Sequence, residues 1–398
     1  MPTQASQSDS VQLLVVGAGP VGLFAALTAS RLGIRVRIID QVWRGYAPGH
    51  ATLLHASTLE LLEEAGIASR MRAAGHEVRE LSVHVGDAPV LELELPAPVL
   101  AVPQGILEEA LVTALRREHV ELLTPYQAIT MDQENGHVDV RILRRELVTL
   151  GSPAHYSEWE PLDSSVVRAS FVIGADGYES RVRAALGIEP VGMGSTETFA
   201  VFEAEGGAPQ AESTMHLCFD DESSSVMLPL ADGRKRWAFQ VRDALDAEPD
   251  LGRLRALQSQ RAPWCTDTPD TVRWGSVIQF ERRLVRQLGK HRVWLAGDAA
   301  HVTSPLGNQS MNAGLVEAHE LAHCVARAVD SPRGLAELED CGTERVREWH
   351  KLFGVNVGFE TLPHAPKWLA KYARRLVPTL PVSSVDATLF ERLGLRLS

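Results

Sequence analysis

Cysteine is scarce in this chain of 398 residues. Only Cys218, Cys265, Cys324 and Cys341 occur, with no Cys-x-x-Cys spacing and no paired pattern. That gives no disulfide framework and reads as free thiols in a reducing compartment. No run of 18 apolar residues free of charge appears, so no transmembrane helix is expected. The first ten residues are polar and lack the cationic start and apolar stretch of a signal peptide. A cytoplasmic protein is the expectation. Positive charge is not in surplus either. A net charge of −12 and a pI near 5.6 argue against nucleic acid as a partner. No His/Glu set has metal-ligand spacing, so no metal is expected, and no internal repeat is found.

What is present is a sequence of apolar runs, each closed by glycine and an acid. Val11 to Val16 is a short continuous apolar run, the pattern of a parallel strand buried on both faces. Glycines turn it into a helix from about Pro20 to Leu32, closed by Gly33. Ile34 to Ile39 is a second strand ending at Asp40, which completes a β-α-β unit. A helix is expected from Leu53 to Ala65 and another from Ile106 to Arg117. Glu77 to Val102 alternates like β structure, with Pro89, Pro96, Pro98 and Pro103 as breaks. Gly151 to Ser165 is polar and reads as an exposed loop, before a buried strand from Arg168 to Gly174. Glu197 to Val241 reads as antiparallel sheet, with a hairpin turn at Asp232-Gly233. Val293 to Ala296 is a further strand, and a long helix is expected from about Asn312 to Val329.

The fold class implied is α/β: a Rossmann-like nucleotide-binding lobe interleaved with a β-sheet lobe for substrate, followed by C-terminal helices. The first lobe takes residues 1–75, 104–189 and 290–330. The second takes 76–103 and 190–289, leaving 331–398 as the helical C-terminal segment.

Three motifs follow strand ends. The first is Gly17-Ala18-Gly19-Pro20-Val21-Gly22. Its glycines permit a tight turn, close approach of a pyrophosphate and tight helix packing, while the helix N-terminus offers free N–H groups to phosphate. Asp40, 23 residues beyond Gly17 and next to Gln41, is placed to hydrogen-bond the ribose of an adenosine. This motif does not separate FAD from NAD. The second is Gly174-Ala175-Asp176-Gly177, with Ser180 and Arg183. The third is Leu295-Ala296-Gly297-Asp298-Ala299-Ala300-His301, leading into Pro305-Leu306-Gly307. A helix opening near Asn312 would aim its amides at the pyrimidine edge of a flavin and favour the reduced, anionic form.

Taken together, and along nearly its whole length, the chain resembles the class A flavoprotein monooxygenases, the para-hydroxybenzoate hydroxylase family. The resemblance implies that Asp298 reaches the ribityl chain of FAD. It implies that Pro305, Gly307, Asn308, Gln309, Ser310, Met311 and Asn312 lie along the isoalloxazine. It further implies that Asp176 belongs to a fingerprint shared by FAD and NAD(P)H, and that Gln104 touches the flavin side chain. The implied reaction is reduction of FAD by NADPH or NADH, addition of O₂ at flavin C4a, and transfer of one oxygen from the (hydro)peroxide to an aromatic or polyketide-like substrate. NAD(P)H would bind transiently, in keeping with the single Gly-x-Gly-x-x-Gly. The protein is expected as a monomer or homodimer, without the thioredoxin-like extension of larger relatives.

The chain departs from the family pattern in four places. Asn308 and Ser310 replace glycines beside the flavin edge. His50-Ala51 stands where Arg-Ala is usual, and Ser57 where a second arginine is usual. His50 is a pH-sensitive substitute for the missing charge, and Arg44 is near enough in sequence to compensate. Candidates for acid–base or positioning roles are His216, His50 and Pro305; His55 and His301 also invite catalytic roles, though His301, part of the family's Asp-Ala-Ala-His pattern, reads as structural. His216, Met227, Pro229, Trp237, Phe239 and Pro305 are candidate pocket residues, with core packing as the competing reading for most of them. Pro366 to Val377 is an amphipathic helix, read as packed across the lobes, with membrane contact as its alternative. Two rival functions stand beside the monooxygenase: a non-oxygenating flavin reductase or dehydrogenase, and a ligand-binding flavin fold without turnover. No Trp-x-Trp-x-Ile-Pro segment supports a halogenase.

Overall fold

The computed structural model describes residues 9–42, 51–134, 136–150, 156–192, 194, 196–206, 213–242, 248–303, 306, 307, 309–329, 331–352, 359–363, 365–381 and 387–397. Arg44, His50, Pro305 and Asn308 lie outside the described residues. Strand β1 (Asp9–Val16), helix α1 (Pro20–Arg31) and strand β2 (Val36–Ile39) form the opening β-α-β unit. Leu13, Leu14 and Val15 are fully enclosed because helices cover both faces of the sheet. Strand β3 (Ala51–Leu54), helices α2 (Ala56–Glu64) and α3 (Ala68–Ala74), and the hairpin β4 (His76–Val85) to β5 (Ala88–Pro103) follow. Strand β5 continues through Pro96 and Pro98, which sit where the pairing with β4 slips between Val78 and Glu80.

The chain then re-enters the first lobe as α4 (Gln104–Arg117), β6 (Glu121–Leu123), β7 (Tyr126–Glu134), β8 (His137–Leu150), β9 (Tyr156–Gly174) and α5 (Arg181–Ala185). It crosses by β10 (Pro190–Gly192) to β11 (Glu197–Glu205), β12 (Thr214–Phe219), β13 (Ser224–Pro229), β14 (Lys235–Val241), α6 (Leu251–Arg261) and β15 (Thr271–Phe280). It returns through β16 (Arg283–Val285), β17 (Gly289–Lys290), β18 (Val293–Leu295) and β19 (His301–Val302) to the antiparallel pair α7 (Gln309–Val329) and α8 (Pro332–Leu352). The C-terminal part is β20 (Phe359–Thr361), α9 (Lys367–Leu376), α10 (Ala387–Leu393) and β21 (Leu395–Leu397).

The first sheet runs β17-β18-β9-β1-β2-β6. Parallel pairing joins β18 to β9, β9 to β1, β1 to β2 and β2 to β6, so β1 lies inside the sheet. The second sheet runs β15-β11-β14-β13-β12-β4-β5-β3, antiparallel except where β12 pairs with β4. Its two faces are both buried, one against α6 and the other against Leu306 and the C-terminal part.

Three expectations are corrected. Residues 156–165 are not loop: they form the start of β9, paired with β8 from Leu150↔Tyr156 onward. From Glu160 to Val166 the strand is exposed on both faces, Leu162 and Val166 included, so it lacks the apolar-in, polar-out alternation by which a half-buried strand is recognised. Helix α7 begins three residues before Asn312, at Gln309. Residues 331–398 are not one unit. Helix α8 packs on α7, while α9 and β21 join the core beneath the second sheet. Among the described residues no helix is long and apolar enough to cross a membrane, and no cluster of three or more His, Cys, Asp or Glu could hold a metal ion.

Candidate cofactor site and the sheet beside it

A cleft lies where β1, β9 and β18 end, so each of the three motifs borders it. Gly17, Gly19, Pro20, Val21, Asp40, Gln41, Gln104, Asp176, Asp298 and Met311 line it. Parallel α/β sheets bind ligands at this carboxyl edge. Gly17 has φ +107°, and a Cβ there would meet the Ala175 carbonyl oxygen at 2.2 Å, so the first motif is seated against the second. Gly19 differs. Its φ of −73° suits any residue, and a Cβ would find no protein atom within 4 Å. Nothing in the protein requires glycine there, so its bareness fits a group lying over the start of α1. That helix has no acidic residue in its first turn and no side-chain cap. Its first amides are therefore open to an anion. The third motif completes the contact: a Cβ on Gly314 would lie 2.9 Å from Val21 and 3.1 Å from Gly297.

Asp40 is pinned in place. One carboxylate oxygen accepts the Ala18 N–H at 2.7 Å and the other the Val42 N–H at 2.8 Å. Each oxygen keeps a lone pair for a sugar hydroxyl. Beside it the Gln41 and Gln127 side chains meet at 2.7 Å, and the Gln127 amide oxygen faces Arg181 Nε at 2.9 Å. Sequence reasoning missed Tyr126, Gln127, Tyr178 and Arg181, all of which line the cleft. The signal lay in strand pairing: β6 runs alongside β2, so Tyr126 N–H donates to the Asp40 carbonyl at 2.7 Å. Gln104 borders the cleft and donates to Glu108 at 2.9 Å.

Asp176 serves its own helix. It accepts from Ser180 Oγ, from Arg181 N–H at 2.7 Å and from Val182 N–H at 3.1 Å, and burial raises its pKa. Arg183 ties the second motif to the third, donating to the Tyr178 carbonyl at 2.8 Å and the Ala299 carbonyl at 2.9 Å.

Asp298 is open to the cleft though closely surrounded by protein, and that surrounding raises its pKa. Ser310 Oγ donates to it at 3.0 Å and lies 3.4 Å from His301 Nδ1. His301 and Glu317 are fully enclosed, with Nε2 3.1 Å from Oε2. Glu317 also accepts the Gly297 N–H at 2.8 Å and Trp349 Nε1–H at 3.4 Å. The carboxylate joins the Gly297 turn, the His301 ring and Trp349 of α8 at one buried point. The serine that departs from the family glycine thus connects a buried carboxylate–imidazole pair to the cleft.

Around the start of α7, Asn312 accepts the His55 N–H at 2.8 Å and donates to the Leu53 carbonyl at 2.6 Å. His55 Nε2 donates to the Gly307 carbonyl at 3.0 Å. Burial takes the His55 pKa down to about 4, so the ring is neutral. Thr52 Oγ1 donates to Met311 sulfur at 3.2 Å. Gln309 is 2 % exposed and donates to the Leu380 carbonyl at 3.2 Å, so its side chain is turned to the C-terminal part. Ser57 Oγ is enclosed and without a hydrogen-bond partner.

The second sheet corrects the expected pocket. Met227, Trp237 and Phe239 pack with Leu254 of α6, while Val226, Leu228 and Ala238 point to the opposite face with Leu306. Strand alternation decides this. His216 shares the α6 side: its ring stacks on Trp264 at 4.2 Å, and Nδ1 is 3.0 Å from His84 Nε2. Pro229, two residues beyond Met227 on β13, shares that parity. The pocket candidates among the described residues therefore face away from Leu306 and α7, and core packing is the reading that describes Met227, Trp237 and Phe239. On the other face, Tyr372 of α9 stacks on Phe219 at 5.7 Å, and Arg375 donates to Ser224 Oγ at 2.9 Å. The apolar stripe of α9 is buried in the protein's own core.

The family described as "FAD binding domain" matches residues 10–351. The chain is 27 % identical over 351 residues to 6-methylpretetramide 4-monooxygenase of Streptomyces rimosus, covering 87 % of this chain and 60 % of that protein. It is 29 % identical over 336 residues to rifampicin monooxygenase of Streptomyces venezuelae, covering 82 % and 66 %. It thus spans about two-thirds or less of these relatives' length. The crystal structure of p-nitrophenol 4-monooxygenase from Pseudomonas putida superposes with a TM-score of 0.70 at 20 % identity, covering 86 % of each chain, and so shares the fold.

Proposed function

Because the chain belongs to the FAD-binding-domain family, we propose that it is an FAD-dependent monooxygenase using NADPH or NADH and O₂ to oxygenate an aromatic or polyketide-like small molecule. The observation that carries this reading is the convergence of three motifs on one cleft with Gly19 left bare at its floor. Bound FAD would supply the redox chemistry, accepting reducing equivalents from the nicotinamide and activating oxygen. The protein's part is positioning. The α1 amides would hold the diphosphate and Asp40 the ribose, while Asp298 would hold the ribityl hydroxyls, kept in orientation by Ser310. The first amides of α7 would face the flavin pyrimidine edge, and Asn312 and His55 fix that turn. Substrate would lie on the Leu306 side of the second sheet, walled by the C-terminal part, where the neighbouring apolar residues would keep water out.

The test is a visible absorption spectrum of the purified protein, then anaerobic addition of NADPH or NADH, then oxygen with a panel of phenols and polyketide-like aromatics. A flavin spectrum that bleaches, followed by oxygen-dependent hydroxylated product, is expected. Failure to take up FAD overturns the reading. Bleaching with product formation that ignores oxygen would instead favour the reductase or dehydrogenase.

A further inference from the structure

Helices α7 and α8 run antiparallel, with Glu320 paired to Arg345 and Arg327 to Glu337. Cys324 and Cys341 fall between these two ion pairs on the facing sides. The Cys341 thiol is close enough to hydrogen-bond the Cys324 sulfur, and both residues belong to the same core cluster. Arg327 donates to the Cys324 sulfur at 3.1 Å from a side chain that itself reaches solvent. A guanidinium and a second thiol donating to one sulfur both favour its thiolate, against the burial of Cys324, which opposes ionisation.

We propose that Cys324 and Cys341 form a hydroperoxide-reactive dithiol, with Cys324 as the attacking sulfur and Cys341 as the resolving one. In the first step the Cys324 thiolate bonds to one oxygen of hydrogen peroxide, the O–O bond breaks, and the departing hydroxide takes a proton to become water. In the second, the Cys341 sulfur displaces hydroxide from the sulfenic acid, and its thiol proton leaves with that hydroxide as a second water. The sulfurs lose two electrons and the peroxide gains them. The resulting disulfide would staple α7, whose first turn borders the cleft, to α8.

The acidities support this assignment: the hydrogen bond from the Cys341 thiol, helped by Arg327 and opposed by burial, brings the Cys324 pKa down to about 7, and the same contact with the Cys324 sulfur, together with burial, pushes Cys341 up. The other two thiols are a control within the same molecule. Cys218 is pushed up to about 12 by burial, and Cys265 is raised by the same cause.

The experiment treats the full chain with one equivalent of hydrogen peroxide, alkylates the remaining thiols in denaturant and maps the peptides. Expected is a fall from four free thiols to two, a Cys324–Cys341 cross-link 2 Da lighter, and full reversal by dithiothreitol. Loss of Cys218 and Cys265 should be at least about tenfold slower. In Cys341→Ser, a sulfenic-acid probe should label Cys324 in place of the cross-link. Four thiols remaining, earlier loss of Cys218 or Cys265, or separate sulfinic acids at Cys324 and Cys341 would each overturn the proposal. Mapping of the unaltered chain decides it even if a variant misfolds, and no outcome depends on the bound flavin.

Discussion

The two sheets put their chemistry in different parts of the chain. In the parallel sheet the cleft is shaped by backbone: amides at the start of α1, a bare Gly19, a glycine turn whose neighbour is a carbonyl oxygen. In the antiparallel sheet everything is decided by side chains, and a one-residue shift exchanges the α6 face for the face under α9. The first kind of site is written in glycine spacing. The second depends on which way a strand is turned, and that depends on distant covers such as α6 and the C-terminal part.

This contrast can be broken by mutation. The largest effect expected is on the sheet lobe: Phe239→Ala should destabilise by about 3–5 kcal/mol, read by urea denaturation, while FAD affinity stays unchanged. A large drop in FAD affinity at unchanged stability would put Phe239 at the cofactor instead. Next comes acid sensitivity at the turn before α7, where His55 is held by Asn312 and Gly307. His55 titrates near 4 in the folded state against 6.5 when exposed, so the unfolded chain binds more protons between those values. Its contribution, about 3 kcal/mol, is complete above pH 6.5 and lost as pH falls toward 4. His55→Gln should flatten that part of the stability-versus-pH curve; an unaltered curve counts against a neutral buried ring. Gly19→Val should leave the fold intact yet weaken FAD binding by about 100-fold, or roughly 2.7 kcal/mol. Binding as tight as in the unaltered chain would mean that no group lies over Gly19. Ser310→Gly, which restores the family glycine, should change the FAD dissociation constant by less than about tenfold, since Asp298 keeps its other surroundings. The smallest effect is expected at His216: alanine there should leave turnover within about twofold, because the ring stacks on Trp264 on the α6 side. A loss of kcat with stability intact would restore it as a catalytic candidate.

How much was legible follows the same division. The β1-α1-β2 unit and the place of Asp40 and Asp298 at strand ends bordering one cleft were readable, because glycine and acid at a strand end form a recognisable pattern. The 156–165 stretch was not, because the β8–β9 ribbon is solvated on both faces and carries a proline beside its register shift. Met227, Trp237 and Phe239 read as candidate pocket residues with core packing as the competing reading; which way they point is set by α6, whose weakly amphipathic sequence gives little sign of covering a sheet. Gln127 and Arg181 were invisible for another reason: neither belongs to a motif, and only the pairing of β2 with β6 brings that region to Asp40.

The place of β1 inside its sheet has a consequence for biosynthesis. Its partner on one side, β2, follows within thirty residues, but β9 on the other side ends at Gly174 and β18, beyond β9, at Leu295. At about 5–20 residues per second, the ribosome needs roughly 8–32 s after making β1 before β9 exists to pair with it, and roughly 15–60 s before β18 closes the far flank of β9. Until β9 is made, the backbone groups on that edge of β1, whose second half is Leu13-Leu14-Val15-Val16, await a partner. A chaperone that holds the nascent chain, or slowed translation ahead of β18, should therefore alter the yield of active protein more than any change near the C-terminus.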